Sequence, residues 1–180
     1  VEKILDTAGQ KGTGKWTVIN SAELGIPITL IGEAVFSRCI SAMKEERVAA
    51  SKKLRGPKPA IKTNREKFIA DIRSALYASK IISYAQGFML LRAAAAEYGW
   101  KLNYGEIALM WRGGCIIRSQ FLGKIKEAFD KRKRLPNLLL DPHFKREIRK
   151  SQRGWRNVVA TAAKKGIPAP AFSTALSFFD

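Results

Sequence analysis

Between Gly9 and Lys15 the chain places three glycines, two lysines and a threonine: Gly9, Lys11, Gly12, Thr13, Gly14 and Lys15. Glycine lets main-chain N–H groups approach an oxyanion closely, lysine brings a point charge and threonine a directed hydroxyl. Together they outline an anion site. A further cation, Arg38, stands between Phe36 and Cys39-Ile40 on a largely apolar stretch, where an unpaired guanidinium is costly to bury. The residues alone allow Arg38 two roles, a structural ion pair to Glu33 or Asp6, or an anion ligand. Lys15 reads equally well as a solvated lysine.

Gly9 and Gly14-Lys15 also match the G-x-x-x-x-G-K spacing of a nucleotide P-loop. Trp16, however, stands where a Ser or Thr hydroxyl would hold magnesium. Residues 1–5 are too short and mixed for a buried strand, and no apolar strand ending in an acidic metal ligand follows. Cys39 and Cys115 lie far apart without metal-ligand spacing, and His143 is the only histidine. No metal site and no Ser/His/Asp triad is expected. The cysteines read as core thiols of a reducing compartment, and His143, beside Pro142, as a surface or cap residue.

The elements that must position the loop read as helices. Thr17 is expected to cap a short helix stopping at Gly25, and a second helix to run from about Leu30 to Leu54. In that second helix Ile31, Val35, Ala42 and Ala49 form the inner stripe, while Lys44, Glu45, Glu46 and Arg47 face water. Gly56-Pro57-Lys58-Pro59 ends it, and a loop runs to Thr63. Asn64 then caps a periodic run to Tyr98, with Phe68, Ile72, Ala75, Leu76, Ser79, Ile82 and Ser83 at spacings of three and four and Gly99 as the left-handed stop. Such a helix spans about 50 Å and should be the central element. Tyr104 to Trp111, Cys115 to about Lys131, Asp141-Pro142 to Gly166 and Ala171 to Phe179 complete an all-α reading. No stretch alternates with period two.

A chain of 180 residues is long enough to bury about 70% of its unfolded surface in one core, so residues 1–180 read as a single helical domain. The longest apolar run, Ile81 to Ala96, is interrupted by Tyr84, Gln86 and Arg92, and no membrane span is expected. No signal peptide opens the chain, which begins at Val1 rather than Met, and a piece of a longer product is expected.

Charge is the anomaly. Lys and Arg number 33 against 15 Asp and Glu, a net +18. On the helix after Asp141, Lys145, Arg149, Arg153 and Arg156 fall close to one face, a basic stripe able to follow a phosphate backbone. Trp155, flanked by Arg153 and Arg156, is the tryptophan to watch as a base-stacking platform; Trp16, Trp100 and Trp111 read as core.

The run Ile4 to Trp16 resembles the signature of the 6-phosphogluconate dehydrogenases. The resemblance continues through Thr29 to Phe36, Ala78 to Gly87, Met110 to Arg118 and Thr174 to Ser177, nearly the whole chain. It implies the multi-helix C-terminal domain built around one long helix, following a Rossmann domain that binds NADP. It implies that Lys11, Thr13 and Arg38 hold the phosphate of 6-phosphogluconate. It implies no catalytic residue in this stretch, since the family's lysine and glutamate precede Val1, and a tail arginine and histidine follow Asp180. A homodimer in the cytoplasm is the expected setting. The competing reading is a catalytically dead, basic derivative contacting RNA in a large assembly such as a ribosome, with a mitochondrial location open to it.

Overall fold

The structure is a computed structural model that describes residues 3–60 and 63–180. Val1 and residues 61–62 of the expected loop lie outside the described residues. Regular structure among the described residues is all helical: α1 (Thr13–Glu23), α2 (Thr29–Ala42), α3 (Lys44–Lys53), α4 (Arg65–Glu97), α5 (Tyr104–Met110), α6 (Leu122–Lys131), α7 (Pro142–Lys165) and α8 (Pro170–Phe179).

The two longest helices carry the terminal signals that the sequence offers. At the start of α4 the Asn64 side chain accepts the Lys67 N–H at 2.9 Å, and Gly99, with φ 67°, lets the Trp100 N–H return to the Ala95 carbonyl at 2.9 Å. The Asp141 carboxylate caps α7 by accepting from His143 N–H at 2.9 Å, Pro142 follows in its first turn, and Gly166 closes it in the left-handed region. Helix α7 lies along α4. A Cβ on Gly154 would stand 3.0 Å from the Asp71 Cα of α4, so the two backbones approach more closely there than any side chain allows. The core between them and α8 holds Ile81, Ile82, Phe144, Ile148 and Trp155, and Phe88 packs onto Phe129 of α6.

One buried polar side chain fixes the position of α2 against this core. Gln86 of α4 has no exposed surface; its Oε1 accepts the Leu30 and Ile31 N–H groups at 3.1 and 3.3 Å, and its Nε2 donates to the Thr29 hydroxyl at 3.0 Å. It satisfies first-turn donors for which Ile28, at the N-cap, has no side-chain acceptor. The angle of α2 is thereby set from the centre of the molecule.

Four sequence expectations change. Helix α1 begins at Thr13, not at a Thr17 cap; Thr17 lies inside it, its hydroxyl donating to the Thr13 carbonyl. The helix expected from Leu30 to Leu54 is two, broken at Met43 (φ −83°, ψ 48°), which ends α2 and starts α3 without glycine or proline; Ala42 and Ala49 are consequently exposed. The helix expected from Cys115 begins only at Leu122, because residues 112–121 form successive turns, with Gly114 at φ 64°. Tyr84 holds that segment from beneath by donating its hydroxyl to the Ile117 carbonyl, and burial raises its phenol above the ordinary value. On α4 the expected inner residues Ile72 and Leu76 are exposed, the inner face being Ala75, Ala78, Ile81, Ile82 and Ala85 instead.

Candidate anion-binding site

Because α1 starts at Thr13, the glycine-rich loop runs directly into a helix N-terminus. Gly12 sits at the N-cap with φ 116°, a conformation that L side chains rarely adopt. The Trp16 N–H is the first in the helix to be satisfied, on the Gly12 carbonyl at 2.9 Å, which leaves the N–H groups of Thr13, Gly14 and Lys15 facing outward at the positive end of the helix dipole. Lys11 and Thr13 are exposed, and among the described residues their side chains make no hydrogen bond or ion pair. Lys15, also exposed, sits in the same first turn.

Arg38 comes to this loop from α2. Its Nε donates to the Gly9 carbonyl at 2.9 Å, and Nη2 donates to the same oxygen. The structural ion pair to Glu33 or Asp6 is therefore absent: Glu33 accepts from Ser37 at 2.9 Å, and Asp6 is taken by Arg47 at 3.1 Å and Lys44 at 3.7 Å. The guanidinium thus bonds a carbonyl two residues before Lys11 in the chain, and its Nη1 makes no hydrogen bond among the described residues. Gly14 lets α1 close on α2, since a Cβ there would meet the Val35 methyl at 2.8 Å. The arrangement is an exposed cationic face of ammonium, hydroxyl, guanidinium and helix N–H groups, suited to holding an oxyanion. It contains no acid–base pair.

Residues that the sequence reading passed over hold the loop in place. The Ala8 N–H donates to the Ser41 hydroxyl at 3.1 Å. Arg47, expected to face water, is half-buried and donates to the Asp6 carboxylate at 3.1 Å, the Asp6 carbonyl at 2.8 Å and the Ser41 carbonyl at 3.1 Å. The break at Met43 turns α3 back so that Arg47 and Lys44 meet Asp6; only the pairing of opposite charges in the sequence hinted at it. The hydrogen bond from Arg47, with its charge and that of Lys44, holds the Asp6 carboxyl below its ordinary value. A depressed carboxylate contributes stability above the unfolded pKa and loses it as pH falls through the folded one. In an NMR titration the Ala8 N–H and Arg47 Nε–H resonances should move together as pH drops below about 4. Asp6→Asn should abolish that movement.

The remaining expected sites fare differently. Lys145, Arg149, Arg153 and Arg156 are all exposed on α7, but Arg156 is held by Asp180 and by Gln152 at 3.1 Å. Trp155 is fully buried, its Nε1 donating to the Phe172 carbonyl at 3.1 Å, and offers no face for stacking. Trp16 and Trp100, expected in the core, are exposed instead, and Trp111 packs half-buried on Phe88. Cys39 is exposed and Cys115 half-buried, so neither is the core thiol expected. His143 lies in the first turn of α7, edge-on to Phe144.

Comparison with known proteins assigns this fold to a family. The family model for the 6-phosphogluconate dehydrogenase C-terminal domain matches residues 1–180. The decarboxylating 6-phosphogluconate dehydrogenase of Mus musculus is 65% identical over 179 residues, covering 99% of this chain and 37% of the relative. Decarboxylating 6-phosphogluconate dehydrogenase 1 of Saccharomyces cerevisiae is 64% identical over 183 residues, covering all of this chain and 37% of the relative. Among solved structures, Plasmodium falciparum 6-phosphogluconate dehydrogenase, known in apo form and in complex with its cofactor NADP+ and its substrate 6-phosphogluconate, superimposes with a TM-score of 0.93 at 43% identity, over 99% of this chain and 38% of that one. The chain thus spans a little over a third of the length of these relatives. On a match from end to end, the chain belongs to the C-terminal domain family of 6-phosphogluconate dehydrogenase.

Proposed function

We propose that this chain is the substrate-binding and dimer-forming domain of an NADP-dependent oxidative decarboxylase of 6-phosphogluconate, with Lys11, Thr13 and Arg38 holding the substrate phosphate. The observation that carries it is the meeting of Arg38 with the Gly9 carbonyl, beside an exposed ammonium and hydroxyl at a helix N-terminus. A phosphate dianion suits that set, each charge-assisted bond contributing about 1.5–3 kcal/mol where water is excluded. Fixing the phosphate end would orient the sugar acid towards a reacting centre supplied elsewhere.

NADP, which accepts the hydride in such a reaction, does not fit these residues. Among the described residues there is no strand, hence no strand–glycine loop–helix unit to receive a dinucleotide. Its binding is assigned to the part of the relatives that this chain does not span. Homodimer formation accords with the exposed apolar side chains Phe36, Ile40, Met43, Val48 and Leu54 along α2 and α3. Among the described residues no helix is long and apolar enough to cross a membrane. The RNA-contacting alternative keeps only its charge in its favour, since Trp155 is buried and Arg156 is engaged.

The test is calorimetric titration of the full-length protein with 6-phosphogluconate and with gluconate. Lys11→Ala should weaken binding of the phosphorylated ligand about 10- to 100-fold and leave gluconate unchanged. Equal weakening for both ligands would refute the phosphate assignment.

A further inference from the structure

An open cleft of about 970 Å3 lies between α4, α7 and the turn segment 112–121, separate from the glycine-rich loop. Two of its cations, Arg73 and Lys80, come from α4; two more, Arg112 and Arg118, come from the turn segment opposite. Among the described residues its one lining carboxylate, Glu147, is taken by Lys150 at 3.1 Å. The cleft therefore has a local excess of positive charge facing one concavity.

Among the described residues, Arg73, Arg112 and Arg118 donate no side-chain hydrogen bond and form no ion pair, whereas Arg38, Arg47, Arg92 and Arg156 each find a protein acceptor. Yet the backbone that carries Arg112 and Arg118 is fixed. Tyr84 donates to the Ile117 carbonyl, and Lys80 Nζ reaches the Arg118 carbonyl at 3.5 Å. Tyr77 and Phe121, ring centroids 5.7 Å apart and edge to face, supply an aromatic floor. Burial and the nearby Glu147 raise the Tyr77 phenol, which remains a neutral donor at neutral pH.

We propose that this cleft is a second anion site, for a small polyanion carrying two or more phosphate or carboxylate groups. Two or more charged groups suit it because α4 and the turn segment together contribute four cations to the lining, more positive charge than one anionic group would balance. A small ligand is indicated because the volume falls at the upper end of small-molecule pockets, and a planar guanidinium fork matches phosphate or carboxylate. This site stands independently of the reading given for Lys11, Thr13 and Arg38.

The experiment titrates full-length protein with inorganic pyrophosphate and, in a second arm, with citrate. A Lys11→Ala/Arg38→Ala background removes binding at the glycine-rich loop. One or both anions should still bind there, and which one does separates phosphate from carboxylate chemistry. Adding Arg112→Gln/Arg118→Gln should weaken that binding at least tenfold, and so should Arg73→Gln, which alters the opposite wall without touching the turn segment. Absence of binding of both anions in the Lys11→Ala/Arg38→Ala protein would overturn the proposal. So would affinity indifferent to Arg73→Gln, or capture of a ten-residue oligoglutamate peptide without either small anion.

Discussion

Replacing Trp155 by alanine is expected to destabilise the fold by about 3–5 kcal/mol, a large fraction of the total for a domain of this size. The side chain has no exposed surface, packs with its ring centroid 6.2 Å from that of Phe179, and donates from Nε1 to the Phe172 carbonyl. Its loss would leave a cavity and remove the hydrogen bond that ties α7 to α8. Collapse cannot fill that space cheaply, because the neighbouring Gly154 already brings α7 against Asp71 and Ser74 of α4. Trp155→Phe keeps most of the volume but not the donor, so it should cost less, about 1–2 kcal/mol. Urea unfolding of the three proteins would show this order as a stepwise fall in midpoint at nearly constant slope. A loss under 1 kcal/mol for Trp155→Ala would contradict the packing described.

What the sequence made legible is local, and what it hid is tertiary. Asn64, Gly99, Asp141, Pro142 and Gly166 act within a few residues of themselves, so the ends of α4 and α7 can be read directly from them. Met43 carries no such signal. Its break follows from Arg47 and Lys44 meeting Asp6, contacts about forty residues apart in the chain. Gln86 reads as an interruption of an apolar run; as the cap for α2 it is intelligible only once Leu30 and Ile31 stand beside it. Trp155 misled for the converse reason: flanking arginines suggested a surface, although the helical turn sends them outward and the indole inward. At the candidate site, Lys11 and Thr13 are proposed from the glycine-rich spacing and the family resemblance. The second loop anchor, Ser41, was not legible in the sequence, since a serine on a helix gives no sign of the distant amide it will accept.

Arg38→Ala should weaken 6-phosphogluconate binding in the full-length protein by about 2–4 kcal/mol, or roughly 30- to 700-fold, if the proposed assignment holds. Two effects compete to explain such a loss. The guanidinium offers charge and donors to a phosphate, and it also anchors the loop through the Gly9 carbonyl. Ser41→Ala separates them, because it removes the Ala8 anchor while leaving every cation in place. If loop anchoring dominates, Ser41→Ala should reproduce much of the Arg38→Ala loss; if phosphate recognition dominates, it should change affinity by less than about threefold. Arg38→Lys should recover only part of the binding, since an ammonium keeps the charge and forfeits the fork. Gluconate provides the reference in each case: its affinity should be unaffected by Arg38→Ala, and an equal fall for both ligands would make Arg38 a structural residue. A double-mutant cycle with Lys11→Ala then reads the coupling directly, with a non-additive loss expected when both side chains grip the same dianion.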